Sequence, residues 1–228
     1  MRKLLGLVLV VALLAGGLVG AEWSARQFVT GKIGQGLEAS LGVTEPRVRI
    51  SQAPLLWDLV NRRISAVRVE TDALPMVVTS HNVTFTGVEF DATDIALRGS
   101  DAVLGRLEGQ ALLDYAQLSA VAGLPVEPAD DGRFGVTYSF EVFGQPLTAT
   151  LTGAPEVDVP AQTISLTEPS VQLAGVELPE EVVTPILLRL VTPMPITLER
   201  GLTLQSVSAL NEGFRMRILG ENVSVPIG

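Results

Sequence analysis

Residues 54–71 read PLLWDLVNRRISAVRVET, and the hydrophobic period changes in mid-run. In the first half Leu55, Leu56, Trp57, Leu59 and Val60 crowd one side of a short helix or wide turn, leaving Asp58 and Asn61 for water. From Ile64 the pattern alternates. Ile64, Ala66 or Val67, and Val69 interleave with Ser65, Arg68 and Glu70, as in a half-buried strand with one apolar face. A greasy lobe is thus fixed to the start of a sheet. It is either a core corner or the wall or mouth of an apolar ligand cavity, and this stretch alone leaves both open.

On the N-terminal side, residues 22–41 place Trp23, Phe28 or Val29, Ile33, Leu37 and Leu41 at intervals of three to five, the stripe of an amphipathic helix weakened by Gly31, Gly34 and Gly36. Before it, Arg2 and Lys3 precede eighteen uncharged residues, Leu4 to Ala21. A basic flank followed by an apolar run is how a secretory signal starts, so export to the periplasm or cell envelope is expected. Val19, Gly20 and Ala21 offer a cleavage site, yet eighteen helical residues span about 27 Å, near the roughly 30 Å of a bilayer core. Cleaved signal and retained membrane anchor both stay open for residues 1–21, with 22–228 as one domain. The sequence has no cysteine, which excludes a lipoprotein anchor, disulfides and thiol catalysis.

On the C-terminal side, residues 47–50 and 64–71 read as strands. The run 76–98, rich in Val, Thr and Phe, reads as two or three antiparallel strands with a hairpin or bulge at Gly87. Residues 111–124 carry a helical stripe of Leu112, Leu113, Tyr115, Leu118, Val121 and Ala122. PADDG at 128–132 is a turn by its chemistry. The clearest strand is 133–143, with Phe134, Val136, Tyr138, Phe140 and Val142 on one face. Extended pieces at 147–152, 156–159 and 163–173 lead to a third helix over 179–191, whose stripe includes Ile186, Leu187 and Leu190 and which Pro185 kinks. Residues 202–210 and 214–225 form a closing hairpin. The expected architecture is α+β, a large antiparallel sheet with a few long helices against it in a single domain.

Conventional chemistry is nearly absent. His81 is the sole histidine, and no nucleophile elbow, zinc-protease motif or phosphate loop occurs. Asp91, Asp94 and Asp101, or Asp130 and Asp131, lack the ordered spacing of a calcium loop and read as turn and cap residues. No metal and no cofactor is expected. The net charge of −9 becomes −11 without Arg2 and Lys3, which argues against nucleic acid and against a polybasic membrane patch. What remains is an excess of apolar residues, 47% of the chain. A lipid cavity would use them: each methylene moved from water gains about 0.8 kcal/mol, on the order of 12 kcal/mol for a sixteen-carbon chain before entropic costs.

Five segments carry a family resemblance. QAPLLWDLVNRRISAVRVETDAL at 52–74, ALLDYAQL at 111–118, GVELPEEV at 175–182, MPITLERGLTLQSVSAL at 194–210 and GFRMRILGENVSV at 213–225 resemble the actinobacterial lipomannan-elongation family of phospholipid-binding proteins. The resemblance covers about residues 22–225. In PLLW it departs from the aromatic expected just after the proline. It implies an envelope protein resembling in fold the tubular lipid-binding superfamily, a curved sheet wrapped around a long helix and an acyl-chain cavity. It also implies binding of phospholipids such as phosphatidylinositol and a non-catalytic part in maturing lipid-linked mannan.

The expected cavity or mouth residues are Leu55, Leu56, Trp57, Leu59 and Val60, with Phe28, Ile33 and Leu37 from the first helix and Ile186, Leu187 and Leu190 from the third. Arg62 and Arg63, adjacent cations beside the lobe, are the candidates for a headgroup phosphate. Besides a phospholipid carrier working at a membrane surface, two readings stay open. One is an anchored scaffold presenting its sheet to an envelope glycosyltransferase. The other is a lipid-acting enzyme, for which His81 is the only conventional base.

Overall fold

The computed structural model describes residues 24, 27, 29–31, 43, 45–50, 55–78, 81–99, 101–142, 145–179, 194–195, 198 and 201–226. In chain order the elements are β1 (Arg47–Ile50), α1 (Leu55–Val60), β2 (Arg63–Val78), β3 (His81–Arg98), β4 (Asp101–Asp114), α2 (Tyr115–Ala122), β5 (Val126–Ala129), β6 (Arg133–Val142), β7 (Gln145–Asp158), β8 (Thr163–Leu173), β9 (Val176–Glu177), β10 (Met194–Pro195), β11 (Leu202–Leu210) and β12 (Gly213–Pro226). They form two six-stranded sheets. Sheet A runs β1-β2-β3-β4-β12-β11, and sheet B runs β10-β8-β7-β6-β5 with β9 beside β8. Every pairing is antiparallel.

The α+β expectation of a large curved sheet wrapped around a few long helices is therefore corrected. Among the described residues the protein is mostly strand, with two sheets and two short helices of six and eight residues. Part of the reason lies at 111–114. Leu112 and Leu113 satisfy a helical stripe, but pairing with β12 in the register Leu113↔Phe214 and Leu112↔Arg215 keeps them extended, one on each face of the sheet. The helix starts only after Asp114, whose carboxylate accepts from Gln117 N at 2.8 Å as an N-cap. The third helix expected at 179–191 lies, but for Pro179, outside the described residues, as does most of the first.

Across its middle rows sheet A separates polar from apolar by alternation. One transverse row reads Val48, Val69, Phe90, Gly109, Ile218 and Leu204 across all six strands. Its neighbour, on the opposite face, reads Arg47, Glu70, Glu89, Gln110, Arg217 and Ser206. Gly109 makes the apolar row possible, because a Cβ there would lie 2.8 Å from the Phe90 ring and 2.9 Å from Ile218. The polar face is laced with ion pairs, Arg47 to Asp72, Arg49 to Glu70, Arg68 to Asp91 and Arg106 to Glu108. Asp91 holds Arg68 in two hydrogen bonds of 2.6 and 3.0 Å, which raises the guanidinium's pKa.

The run 76–98, expected as two or three antiparallel strands, holds the end of β2 and the whole of the 18-residue β3, paired antiparallel. Gly87, at φ +55°, sits in a bulge between Thr86 and Glu89. Asp94 adopts φ +54° between Ala92 and Ile95, and these two residues of opposite parity enter one buried cluster with Ile64, Val67 and Ala102. A left-handed residue in mid-strand thus redirects the alternation, and aspartate tolerates that conformation better than most. Gly105 on β4 gives Asp94 room: a Cβ at 105 would stand 2.8 Å from its Cβ.

Sheet B repeats the two-faced pattern. Val126, Val136, Leu151 and Val171 form one apolar row, and Tyr138, Ala149, Leu173 and Val176 the next. The 128–132 turn is of the mirror-image kind suited to hairpins, with Asp131 and Gly132 at φ +58° and +71° and Arg133 N donating to Asp130 O. The pieces expected at 147–152 and 156–159 are one strand, β7, with a bulge between Thr152 and Ala154. β7 packs against β11, and in the turn that follows β7 the Gln162 side chain accepts from Leu204 N and donates to Leu204 O.

Candidate lipid-binding site

Two features of the described residues fit a lipid, an extended apolar surface and a cationic end. The first follows from register. Phe214 lies on the apolar face of sheet A, sharing it with Met216 and Ile218, and Phe134 lies on the apolar face of sheet B with Val136. Their rings meet edge to face at 4.9 Å and 72°, and Tyr115 meets Phe214 at 5.9 Å and 83°. The two apolar faces are therefore continuous through an aromatic joint. Tyr115 completes it by donating its hydroxyl to Leu210 O at 2.8 Å, and burial pushes its pKa up. Two hollows among the described residues are half open and lined by polar and apolar atoms in similar measure.

The second feature is built by α1 and the start of β2. Leu55 is fully buried, at 0% exposure, and fixes the helix to the sheet. Asp58 Oδ2 accepts from Ser65 N at 3.0 Å and from Ser65 Oγ at 2.7 Å, and Asn61 donates its backbone N–H and its side-chain Nδ2 to Trp57 O. The helix is thereby held at a set angle, with Trp57 and Val60 projecting at 70% and 80% exposure. Spaced three apart, they share one side of the helix. A hollow of about 370 Å³ lies beside them, lined by Trp57, Asp58, Asn61, Arg63, Ser65 and Asp94 among others. The chain turns from helix to strand through Arg62, at φ +53°, whose carbonyl accepts from Leu97 N at 2.8 Å.

The structure thus disperses the lobe expected as cavity wall or mouth. Leu55 points inward, Trp57 and Val60 outward, and Leu56 and Leu59 lie within α1. Arg62 and Arg63 stand exposed at the same end. Phe28, Ile33, Leu37, Ile186, Leu187 and Leu190 lie outside the described residues. Arg98 was not legible as a partner of this site; the bond from Leu97 to Arg62 and the Arg63↔Ala96 register bring it there. Five arginines elsewhere meet carboxylates and Arg133 meets carbonyls, whereas the side chains of Arg62, Arg63 and Arg98, and of Arg217 on the polar face of sheet A, have no partner among the described residues.

A second hollow, of about 350 Å³, opens on the polar face of sheet A beside Glu89, Asp91, Arg106, Glu108 and Arg217. Its carboxylates are all engaged, Glu108 by Arg106, Asp91 by Arg68 and Glu89 by the Gln110 amide at 2.7 Å. His81 is exposed at the start of β3. Among the described residues no group of three His, Cys, Asp or Glu is placed to hold a metal ion, and no helix is long and apolar enough to cross a membrane.

A family model for LmeA-like phospholipid-binding proteins matches residues 20–221. The chain belongs to that family. No match was found among curated proteins or among solved structures. The LmeA-like match spans α1, Arg62, Arg63 and Arg98, and the Phe134 to Phe214 contact, and the family is described by binding rather than by catalysis.

Proposed function

We propose that this protein is a non-enzymatic phospholipid carrier of the cell envelope, holding acyl chains along the joined apolar faces of its two sheets with the headgroup at the α1 end. The observation that carries this reading is the contact of Phe134 with Phe214, which makes one apolar surface out of two sheets that each keep their charges on the other side. An acyl chain laid on such a surface needs no charged partner along its length; burial of methylenes supplies the attraction, about 0.8 kcal/mol each. A phosphate needs cations, and Arg62 and Arg63 offer guanidinium groups suited to paired hydrogen bonds with its oxygens.

Export is supported by the basic-then-apolar leader ending near Ala21. Phosphatidylinositol as a ligand, and a part in lipid-linked mannan maturation beside an envelope glycosyltransferase, are the finer proposals, supported by the family resemblance. The test is to purify the protein from its envelope, extract it with organic solvent and identify co-purifying lipid by mass spectrometry, then to measure uptake of added phospholipid. One or more bound phospholipids per chain is expected. Recovery of none, together with no uptake, overturns the reading.

A further inference from the structure

We infer that the α1 end of sheet A is a docking surface for an anionic phospholipid bilayer, with Trp57 and Val60 entering the interface and Arg62, Arg63 and Arg98 meeting lipid phosphates. The inference rests on the phospholipid-carrier reading and adds to it the surface from which lipid is collected.

Three observations converge on it. First, Trp57 and Val60 are the most exposed large apolar side chains described, and they are held outward on a helix fastened by buried Leu55 and by the Asp58 to Ser65 hydrogen bonds. Tryptophan at such a position suits the membrane interface, where an apolar ring with a polar N–H gains from both sides. Second, three of the four described arginines without partners, Arg62, Arg63 and Arg98, gather at this end, while on the polar sheet face Arg47, Arg49, Arg68 and Arg106 are paired with carboxylates and Arg217 alone is not. Of the acidic groups nearby, Asp58 is engaged by Ser65, Asp94 borders the hollow, and Asp101 stands opposite Arg98 across the β3–β4 turn without forming an ion pair. Third, charge is unevenly divided along the molecule. Residues 123–179, which build most of sheet B, hold eight acidic residues and a single basic one, Arg133, a net −7 out of the chain's −9. An anionic bilayer repels that half and attracts the α1 end, so the field of the whole protein turns α1 toward the lipid.

The experiment uses the full-length chain carrying Trp23→Phe, so that Trp57 is the sole tryptophan, reconstituted into vesicles of phosphatidylcholine with or without phosphatidylglycerol brominated on its acyl chains. With phosphatidylglycerol present, Trp57 emission should shift to the blue and be quenched by the brominated lipid, and added salt should weaken both effects. Removing two cations with Arg62→Gln and Arg63→Gln should reduce the docking equilibrium about thirtyfold, at roughly fivefold per arginine near an anionic surface. No shift on anionic vesicles overturns the inference, and so does an equal shift on pure phosphatidylcholine that the arginine variants leave intact. Phospholipid loading, read separately by mass spectrometry on the same protein, divides the two ideas. Loading without docking removes the docking surface alone, and docking without loading removes the carrier.

Discussion

The rings of Phe134 and Phe214 meet edge to face, centroids 4.9 Å apart, and this contact joins sheet B to sheet A. Truncating either ring removes both burial and the ring geometry. Phe214→Ala should destabilise the protein by about 2–4 kcal/mol, somewhat under the figure for a fully buried phenylalanine because the ring is only half-buried. A double-mutant cycle with Phe134→Leu and Phe214→Leu should show a coupling of about 0.5–1.5 kcal/mol in urea denaturation. Additive effects would mean that the rings are neighbours without being a joint.

Leu55 and Trp57 are two residues apart and have opposite fates. Leu55→Ala should cost about 2–5 kcal/mol, the range for a fully buried leucine. Trp57→Asp should leave the denaturation midpoint within about 0.5 kcal/mol of wild type, as for an exposed site, while phospholipid uptake is lost. A Trp57→Asp protein that unfolds would return the lobe to the core.

Gly105 lies against Asp94, the residue that redirects β3. Gly105→Val places a Cβ at 2.8 Å from Asp94 Cβ and 3.2 Å from its carbonyl oxygen. Neither atom can withdraw without moving the strand, so a loss of about 1–3 kcal/mol is expected, as for overpacking in a core. Asp94→Gly should recover part of that loss in the double variant, since it removes one of the two clashing atoms and suits φ +54°. No recovery would place the strain elsewhere.

Asp114 caps α2. Hydrogen bonds from the Gln117 side chain and backbone hold its carboxyl below the usual carboxylate range. A lowered folded-state pKa means that the stabilisation is present above the unfolded value, about 3.9, and is lost as pH falls through the folded one. At pH 7 Asp114→Ala should cost about 0.5–2 kcal/mol. The gap between variant and wild type should narrow as pH is lowered from about 4. A gap of the same size throughout an acid titration of the urea midpoint would rule out the charged cap.

Much of this fold was legible because alternation survives wherever a strand is regular. The period change at Asn61 and Arg62 marks the α1 to β2 junction, β6 showed five same-parity apolar residues, and β11 with β12 read as a hairpin. What misled was of two kinds. Gly87, Asp94 and the Gly153 bulge interrupt the alternation inside continuous strands, so one strand looks like two. Leu112 and Leu113 are apolar enough for either element, and only their β12 partners, Arg215 and Phe214, about a hundred positions away, decide between them. A signal was nonetheless present in Asp114-x-x-Gln117, a helix-start pairing like a capping box, which dates the helix four residues later than its apolar stripe suggests. Of the cationic end, Arg62 and Arg63 were visible as neighbours in sequence. Arg98 joins them only through the return of β3.

Asp114 pairs with Gly213, and between them the chain builds the whole of sheet B before returning to close sheet A. Synthesis from the N-terminus therefore completes β1 to β4 long before β12 exists. Throughout that interval β4 presents thirteen residues of unsatisfied edge, Asp101 to Gln110 among them, which only the final strand covers. Closure over so long a separation is slow, and an open edge invites pairing with another copy. The last strand is thus the latch of the molecule: a chain cut short before Gly213 would hold most of its residues and still have no finished sheet A.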